Sequence, residues 1–404
     1  MDLTRRAILC EESQIGPYPL EKLPRVDKIT TQVHDETLRP VQAENELNKC
    51  MRGDYGEAVA VKARGLTVNN PLCEAIFALV PHLCAFPENP VAAQKAPLPE
   101  AHLLSRHIKK YTYFLGADQV GICRVPKRTI YQDDAKGQPL ECDYQYAVVF
   151  LMRKDPDTIA ASHGDEWVDG PASWICYQRL AVISVTLARY IRSLGYPAKA
   201  SHMFNYSTLL PRLVVEAGLG EFSRMGIAVN PFYGATFKAA CVLCDLPLEP
   251  DKPIDFGLQD YCAKCGICAQ QCPVGAIPAG DKVEYNGYTT WVHERKKCAL
   301  YCVNHPHGDI CQRCTKVCPF NRPDGTPEQF KDWDGNLDYL YRLVEEQRAR
   351  MEACGYEAPA EKTGKWWLPL RQGQGGVQEV GEFDYNFHYR RQERMSEADS
   401  ETMK

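Results

Sequence analysis

The sequence of 404 residues lacks a marked excess of charge of either sign: 47 Lys and Arg stand against 52 Asp and Glu, a formal net charge of −5. Such a balance provides no general attraction to a phosphate backbone, so we expect no nucleic acid partner. Long apolar runs are also lacking, because stretches such as 75–86 and 180–191 are too short or too interrupted to cross a bilayer core of roughly 30 Å. We therefore expect a soluble protein without a membrane span.

Nucleotide-binding and export motifs are missing as well. No G-x-G-x-x-G follows a strand pattern and no Walker loop is found, so nucleotide binding is not predicted. Residues 4–9, TRRAIL, are similar to a twin-arginine export signal, but the following CEESQIG is acidic and polar where such a signal needs an apolar core. We therefore predict a cytoplasmic location.

Cysteine, in contrast, is abundant: the chain has 19, and nine of them lie between positions 262 and 318. A secreted disulfide scaffold is typically a short chain with dispersed cysteines. Clustering at intervals of two and three residues is typical of metal or iron–sulfur ligation instead. The cysteines of this segment are therefore predicted to be ligands.

The spacing within the segment is specific. The first half has the C-x2-C-x2-C-x3-C-P order of bacterial two-cluster ferredoxins and consists of Cys262, Cys265, Cys268, Cys272 and Pro273. The second half consists of Cys298, Cys311, Cys314, Cys318 and Pro319. In such a pair the cysteine before each proline ligates the cluster of the opposite half.

Two [4Fe–4S] clusters are therefore predicted, each with a crossed ligand set. The first is held by Cys262, Cys265, Cys268 and Cys318. The second is held by Cys272, Cys298, Cys311 and Cys314, with Cys302 as the rival for the place of Cys298. Zinc is the alternative, since C-x-x-C pairs also form tetrahedral zinc sites, but two halves that each end in Cys-Pro favour iron–sulfur. Cys241 and Cys244 form another C-x-x-C, which we interpret as buried packing residues rather than a redox pair.

Hydrophobic periodicity before this segment alternates between strands and helices. Apolar runs predict strands at 120–125, 146–152 and 198–203, and helical patterns lie at 103–115, 171–195 and 208–217. The uninterrupted run 146–152 is typical of a central strand that is covered on both faces. The pattern predicts a layered α/β domain from about residue 100 to 258.

The residues 217–234 (AGLGEFSRMGIAVNPFYG) and 237–257 (FKAACVLCDLPLEPDKPIDFG), followed by the two cluster halves, resemble the corrinoid iron–sulfur reductases. These include the reductive dehalogenases and the epoxyqueuosine reductases, and the match covers about 105–325. The resemblance implies an α/β (α+β) fold in which a nitroreductase-like cobalamin-binding domain, 105–258, precedes a ferredoxin-like domain with two [4Fe–4S] clusters, 259–325. A region without an assigned role, 1–104, and a C-terminal helix with a polar tail, 326–404, complete the chain.

The same resemblance implies cobalamin as a cofactor. The D-x-H-x-x-G motif, which supplies the lower axial ligand in many corrinoid enzymes, is absent, which fits a base-off corrinoid without a protein ligand. A glycine-rich turn would let the backbone approach the corrin, and its predicted contacts are Gly218, Gly220, Ser223, Arg224 and Gly226.

The choice between the two kinds of reductase depends on the acid. Epoxyqueuosine reductases are similar to one another in a DTAPV-type segment that bears a catalytic aspartate, whereas this chain reads FNYSTLLPR with Asn205 and no carboxylate. Tyr177, Asn205 and Lys238 fall where reductive dehalogenases carry a tyrosine, an asparagine and a cation. The resemblance implies that Tyr177 donates a proton, that Lys238 lowers the pKa of its phenol, and that Asn205 orients the substrate or the phenol.

The resulting hypothesis is a reductive dehalogenase that removes halide from an organohalide, with a preference for halogenated aromatics, and that receives electrons from a separate ferredoxin or flavodoxin. Two alternatives remain: an epoxyqueuosine-type reductase acting on tRNA, and an electron-transfer protein without catalysis. The aromatic residues that are possible walls of the pocket are Trp167, Trp174, Trp291, Tyr206 and Phe232.

Overall fold

The structure, a computed structural model, describes residues 14–66, 71–164, 168–305 and 310–357, together with the backbone of 370–373 and 376–379. The segment 4–9, Trp167 and the polar end of the chain lie outside the described residues. None of the described helices combines the length and the apolar character that crossing a membrane requires.

The strands are β1 (Gln119–Arg124), β2 (Tyr146–Arg153), β3 (Ala198–Ser201), β4 (Glu221–Phe222), β5 (Ala228–Val229), β6 (Phe237–Cys244), β7 (Val283–Tyr285), β8 (Tyr288–Thr290), β9 (Leu370–Gly373) and β10 (Gly376–Glu379). The α-helices are α1 (Glu46–Arg52), α2 (Glu57–Gly65), α3 (Pro71–Phe77), α4 (Val80–Cys84), α5 (Ala101–Phe114), α6 (Pro156–Ala161), α7 (Asp169–Ser193), α8 (Leu210–Glu216), α9 (Leu258–Cys265), α10 (Ile267–Gln270), α11 (Arg295–Val303), α12 (Arg313–Lys316) and α13 (Leu337–Ala353).

Four strands form the central sheet in the order β1-β2-β6-β3, and every neighbouring pair is antiparallel. The predicted central position of 146–152 is confirmed, because β2 lies between β1 and β6 and is buried at every residue except its last. The sequence prediction missed β6. That strand enters the sheet between β2 and β3, and pairing of this kind between distant segments leaves no local pattern.

The two faces of the sheet carry two separate hydrophobic cores. Val148, Phe150 and Val242 face the helices α5 and α7. Val149 and Leu243 point the other way, toward α8. Since neighbouring side chains in a strand alternate between faces, the apolar run of β2 serves both cores at once.

Cys241 and Cys244 are buried in β6 as predicted, and both are free thiols. Their separation of three residues places Cys241 in the core on the α8 side and Cys244 in the core on the α7 side. Thiols on opposite faces of a strand cannot form a pair, so the interpretation as packing residues is confirmed.

The N-terminal region packs against both predicted domains and does not form a separate unit. The ring of Tyr18 packs 5.3 Å from that of Phe232 and belongs to the same core as Phe330, beyond the cysteine-rich segment. The helices α1 and α2 pack against α11, and α3 and α4 pack against α7. One continuous core therefore crosses the predicted domain boundary near residue 258.

Candidate active site and cluster sites

Tyr177 and Lys238, 61 positions apart in the sequence, are in contact in the fold. Tyr177 lies on α7 and Lys238 on β6, and the Nζ atom of Lys238 is 5.1 Å from the centroid of the Tyr177 ring. Lys238 shares the strand face of Ala240 and Val242, which α7 covers, so strand alternation directs its side chain toward this helix. The structure thus brings together two of the three residues that the resemblance implies for catalysis.

Both residues line a cavity of about 240 Å³. Tyr206, Lys154 and Gln312 line it too. The cavity carries phenol, ammonium and amide groups at one end, and small or apolar side chains such as Ala228 and Val214 elsewhere.

Burial controls the ionisation of the cavity groups. It raises the pKa of Tyr177 to about 12. It lowers the pKa of Lys238, because a buried ammonium loses its hydration. The expected lowering of the Tyr177 pKa by Lys238 is therefore wrong for the structure as it stands: the cation lies over the ring face, and desolvation of the phenol dominates.

Lys154 is a cavity residue that the sequence analysis missed. It follows β2 directly, is 1% exposed, and donates a hydrogen bond from Nζ to Oε1 of Gln312. Burial, followed by the charge of Lys238, lowers the pKa of Lys154 to about 7. A charged residue at the end of a strand that is apolar on both faces was the available signal in the sequence.

Asn205, the third residue of the predicted trio, does not line this cavity. Its Oδ1 accepts a hydrogen bond from the backbone N–H of His202 (2.8 Å), and its Nδ2 donates to the carbonyl of Ala200 (3.2 Å). The amide is used within its own turn, so the structure gives no support for a role in orienting substrate or phenol. Its neighbour Tyr206 lines the cavity instead.

The other aromatic candidates separate by position. Tyr206 is a wall of the cavity, and Trp174 packs against Tyr177 with their ring centroids 5.7 Å apart. Phe232 is fully buried in the core beneath Tyr18. Trp291 lies outside the cavity as well, with the guanidinium of Arg224 4.8 Å from its centroid.

The glycine-rich turn approaches protein atoms rather than the cavity. A Cβ atom at Gly218 would lie 2.2 Å from Nη1 of Arg25, and one at Gly220 would lie 2.5 Å from the carbonyl oxygen of Val229. Gly226 has a φ of +71° and nothing closer than 3.8 Å. The need for glycine at 218 and 220 therefore has a packing explanation, and the predicted approach to a corrin is unsupported there.

Ser223 and Arg224 lie at the first cluster site, not at the cavity beside Tyr177. Arg224 donates hydrogen bonds to the carbonyl oxygens of Cys262 (3.0 Å), Pro278 (2.9 Å) and Gly280 (2.8 Å). A guanidinium that is committed to these carbonyls holds the cysteine-rich segment against the sheet domain. The expectation that these two residues bind cobalamin does not agree with this placement.

The four predicted ligands of the first cluster surround one cavity. Its lining includes Cys262, Cys265, Cys268 and Cys318. Met225, Tyr261 and Phe320 close it with apolar surface. Within the described ranges, no three Cys, His, Asp or Glu side chains converge on a single metal ion. Four thiols around a shared space suit a four-iron cluster but also a tetrahedral zinc site, so the preference for iron–sulfur rests on the Cys-Pro spacing of the two halves.

The thiols predicted for the second cluster also lie near one another. Electrostatic interactions link Cys314 with Cys311, Cys298 and Cys272. Cys302 lies beside them, and its thiol approaches the carbonyl oxygen of Cys311 at 3.9 Å. Both rivals for the fourth ligand are therefore present at the site.

The thiols of the two rivals share a hydrogen bond. A hydrogen bond from the Cys302 thiol lowers the pKa of Cys298, and the nearby His293 acts in the same direction. The pKa of Cys302 is raised by the same interaction. Because metal binding itself deprotonates thiol ligands, this difference does not choose between the two thiols, and Cys298 as the fourth ligand stays a prediction.

The second cluster site borders the cavity. Gln312 and Thr315, which flank Cys314 in the sequence, both line it. Among the described residues that line the cavity there is no His, Cys, Asp or Glu. The base-off state of the corrinoid stays a prediction.

Comparison with protein families supports both halves of this picture. The 4Fe–4S dicluster domain family matches residues 261–322. The tetrachloroethene reductive dehalogenase of Sulfurospirillum multivorans is 29% identical over 301 residues, which are 65% of this chain and 59% of the relative. The epoxyqueuosine reductase of Staphylococcus aureus is 30% identical over 146 residues, 35% of this chain and 37% of that protein.

Among solved structures, the catabolic reductive dehalogenase NpRdhA in complex with 3-bromo-4-hydroxybenzoic acid matches with a TM-score of 0.80 and 31% identity. The match covers 90% of this chain and 53% of that protein. The chain thus spans between half and three-fifths of the length of these two reductive dehalogenases. The predicted fold class is confirmed, and so is the resemblance of the chain to the corrinoid-dependent reductive dehalogenase family.

Proposed function

We propose that this protein is an oxidoreductase that removes halide from an organohalide, using a corrinoid and two [4Fe–4S] clusters. The observation that carries the proposal is the contact between Tyr177 and Lys238 in a cavity that borders the helix of Cys314. With Tyr177 as the proposed proton source, the proton would be supplied next to the site where electrons would arrive. Two of the three named relatives support the same class of reaction, since they are reductive dehalogenases.

The reaction needs two electrons and one proton: the carbon–halogen bond breaks, a carbon–hydrogen bond forms, and halide leaves. When bound, the corrinoid supplies the reducing cobalt centre for this exchange. When bound, the clusters supply electrons one at a time. We propose that the second cluster is the one nearer the cavity and that a separate ferredoxin or flavodoxin delivers electrons to the first.

Tyr177 is the proposed proton donor. With a pKa of about 12 it carries its proton throughout the neutral range, so the acid form is always available. Its weakness as an acid must be overcome at the moment of transfer, when negative charge on the phenolate needs a neighbouring cation. Lys238 lies at the ring of Tyr177 and can supply that charge.

The preference for a halogenated aromatic rests on the walls of the cavity. Tyr131, Tyr206 and Phe237 line it together with Tyr177. Aromatic side chains pack well against a planar ring, in stacked or edge-on contact. The base-off state of the corrinoid and a cytoplasmic location are further predictions that belong to the same proposal.

Reconstitution and metal analysis test the proposal. The protein, loaded anaerobically with iron, sulfide and cobalamin, should hold about eight iron atoms and about one cobalt per chain. It should also release halide from a brominated phenol when a chemical reductant is supplied. Iron without cobalt would remove the corrinoid and leave an electron-transfer protein. Both metals without halide release, but with turnover of an epoxyqueuosine-containing tRNA stem loop, would favour the alternative reductase.

A further inference from the structure

Lys154 and Gln312 form a buried polar connection between the cavity and the second cluster site. Lys154 is 1% exposed and Gln312 is 7% exposed. The backbone N–H of Lys154 donates to the carbonyl of Thr236 (2.8 Å), which anchors the lysine to the start of β6. Burying an ammonium costs free energy unless hydrogen bonds or an opposite charge compensate for its lost hydration. The burial of Lys154 therefore requires an explanation.

The side chain of Gln312 is fully engaged. Its Oε1 accepts from Lys154, and its Nε2 donates to the carbonyl oxygen of Asp169 (2.5 Å) and to Oγ of Ser173 (2.7 Å). Asp169 and Ser173 form the first turn of α7, one turn before Tyr177. The orientation of the amide is thereby fixed, and so is the position of the ammonium that it holds.

Buried charges of both signs lie near Lys154, because the ammonium of Lys238 and the carboxylate of Asp169 both interact with it electrostatically. Lys154 interacts electrostatically with the thiol of Cys314, and so does Lys238. No carboxylate lines the described part of the cavity between them. In a buried site of low polarity, a fixed positive charge favours the more negative oxidation state of a nearby redox centre.

We propose that Lys154 raises the reduction potential of the second cluster, with Gln312 as the positioning residue that holds its ammonium in place. At pH 6, where Lys154 already carries its proton, uptake of one electron from an external low-potential reductant makes the cluster one charge more negative. The ammonium of Lys154 stabilises that added charge and draws the electron toward the cavity. The inference rests on the proposed binding of two clusters but does not need the proposed dehalogenation.

The test is a redox titration of the full chain, reconstituted with iron and sulfide only and monitored by electron paramagnetic resonance. At pH 6 the Lys154 ammonium is largely protonated. Lys154→Met should lower the potential of one cluster so that its reduction equilibrium falls about tenfold, which corresponds to about 59 mV for one electron. The other cluster should keep its potential.

Lys282 provides a matched control at the first cluster. It interacts electrostatically with Cys262, and its Nζ donates to Oε1 of Gln259 (2.6 Å). Lys282→Met should lower the potential of the cluster that Lys154→Met leaves unchanged. Equal shifts of both clusters in either variant would indicate a general structural change and would overturn the inference, as would unchanged potentials in Lys154→Met.

A second variant covers the possibility that Lys154→Met fails to assemble its cluster. Gln312→Glu keeps the acceptor for Lys154 and adds a negative charge, so it should lower the potential of the same cluster. If both variants hold only about four iron atoms, the pair serves assembly and the inference is overturned. A shift of the second cluster in this titration, together with no halide release from the wild-type protein loaded with cobalamin as well, would support the inference while rejecting the proposed dehalogenation.

Discussion

The cysteine-rich segment and the sheet domain assemble their functional side chains in different ways. Cys262, Cys265 and Cys268 lie within seven consecutive residues, and a short helix and a turn are enough to bring them together. Tyr177 and Lys238 come from a long helix and a strand, and they meet only because β6 inserts between β2 and β3. Spacing in the sequence specifies the first site, whereas sheet order specifies the second.

The difference shows which functional residues a sequence pattern can predict. In a cluster motif the spacing of the cysteines along the chain largely sets their positions in space, and the thiols predicted for the first cluster do line one cavity. For the sheet domain, an ordered pattern of motifs identified Tyr177 and Lys238 but also included Asn205, which the fold uses elsewhere. Lys154 was missed because no motif marks it.

The largest expected effect is the loss of one cluster. It tests whether the ligands of a cluster all come from cysteines that are neighbours in the sequence. Cys318 lies 56 positions after Cys262, and both line the same cavity. Cys318→Ala should therefore remove the same cluster as Cys262→Ala, reducing the iron content from about eight atoms to about four. Iron analysis and electron paramagnetic resonance of the reduced variants measure this.

Cys354 offers a matched control, since it is exposed and belongs to neither cluster motif; Cys354→Ala should retain about eight iron atoms. If Cys318→Ala removed the same cluster as Cys272→Ala, the crossed ligand sets would be wrong.

The next prediction concerns the second cluster, where Cys298 and Cys302 on α11 compete for the place of the fourth ligand. Cys298→Ala should remove the cluster held by Cys272, because Cys298 is the predicted fourth ligand of that cluster. Cys302→Ala should retain about eight iron atoms and only change the spectrum of the cluster slightly. The opposite pattern of iron contents would assign the fourth ligand to Cys302.

Removal of the phenol tests the site that the sheet domain builds. Tyr177→Phe keeps the ring but lacks the dissociable proton, so halide release should fall by about 10²-fold or more while cofactor binding persists. Lys238→Met should lower the rate in the same direction, and the two losses should be strongly non-additive because the residues act as a pair. Halide release with a chemical reductant is the measurement.

Tyr190 on the same helix is the control. Its hydroxyl lies 2.8 Å from the ring of His107 and does not line the cavity, so the rate of Tyr190→Phe should be close to that of the wild type.

The Tyr177 pKa of about 12 also predicts how the rate depends on pH. Because Tyr177 is protonated below that value, loss of its proton should not reduce the rate between pH 7 and about pH 10. Full activity of Tyr177→Phe would remove this residue from the mechanism.

The smallest effect is expected at Asn205, and it tests whether the family pattern or the fold defines the active site. Its amide bonds are made within the turn 200–205, so Asn205→Ala should destabilise the protein by about 1 kcal/mol. Halide release should change by less than about threefold. A loss as large as that of Tyr177→Phe, with normal stability in denaturant unfolding, would return Asn205 to the catalytic group.

The sequence by itself determined the features that depend on short spacings along the chain: the two cluster motifs and most strands and helices of the sheet domain. Each of these depends on residues that are close along the chain. Tertiary structure alone decided the position of β6, the burial that raises the pKa of Tyr177, and the place of Lys154 between the cavity and the second cluster site. These features depend on which distant segments exclude water from one another, and a linear pattern does not encode that.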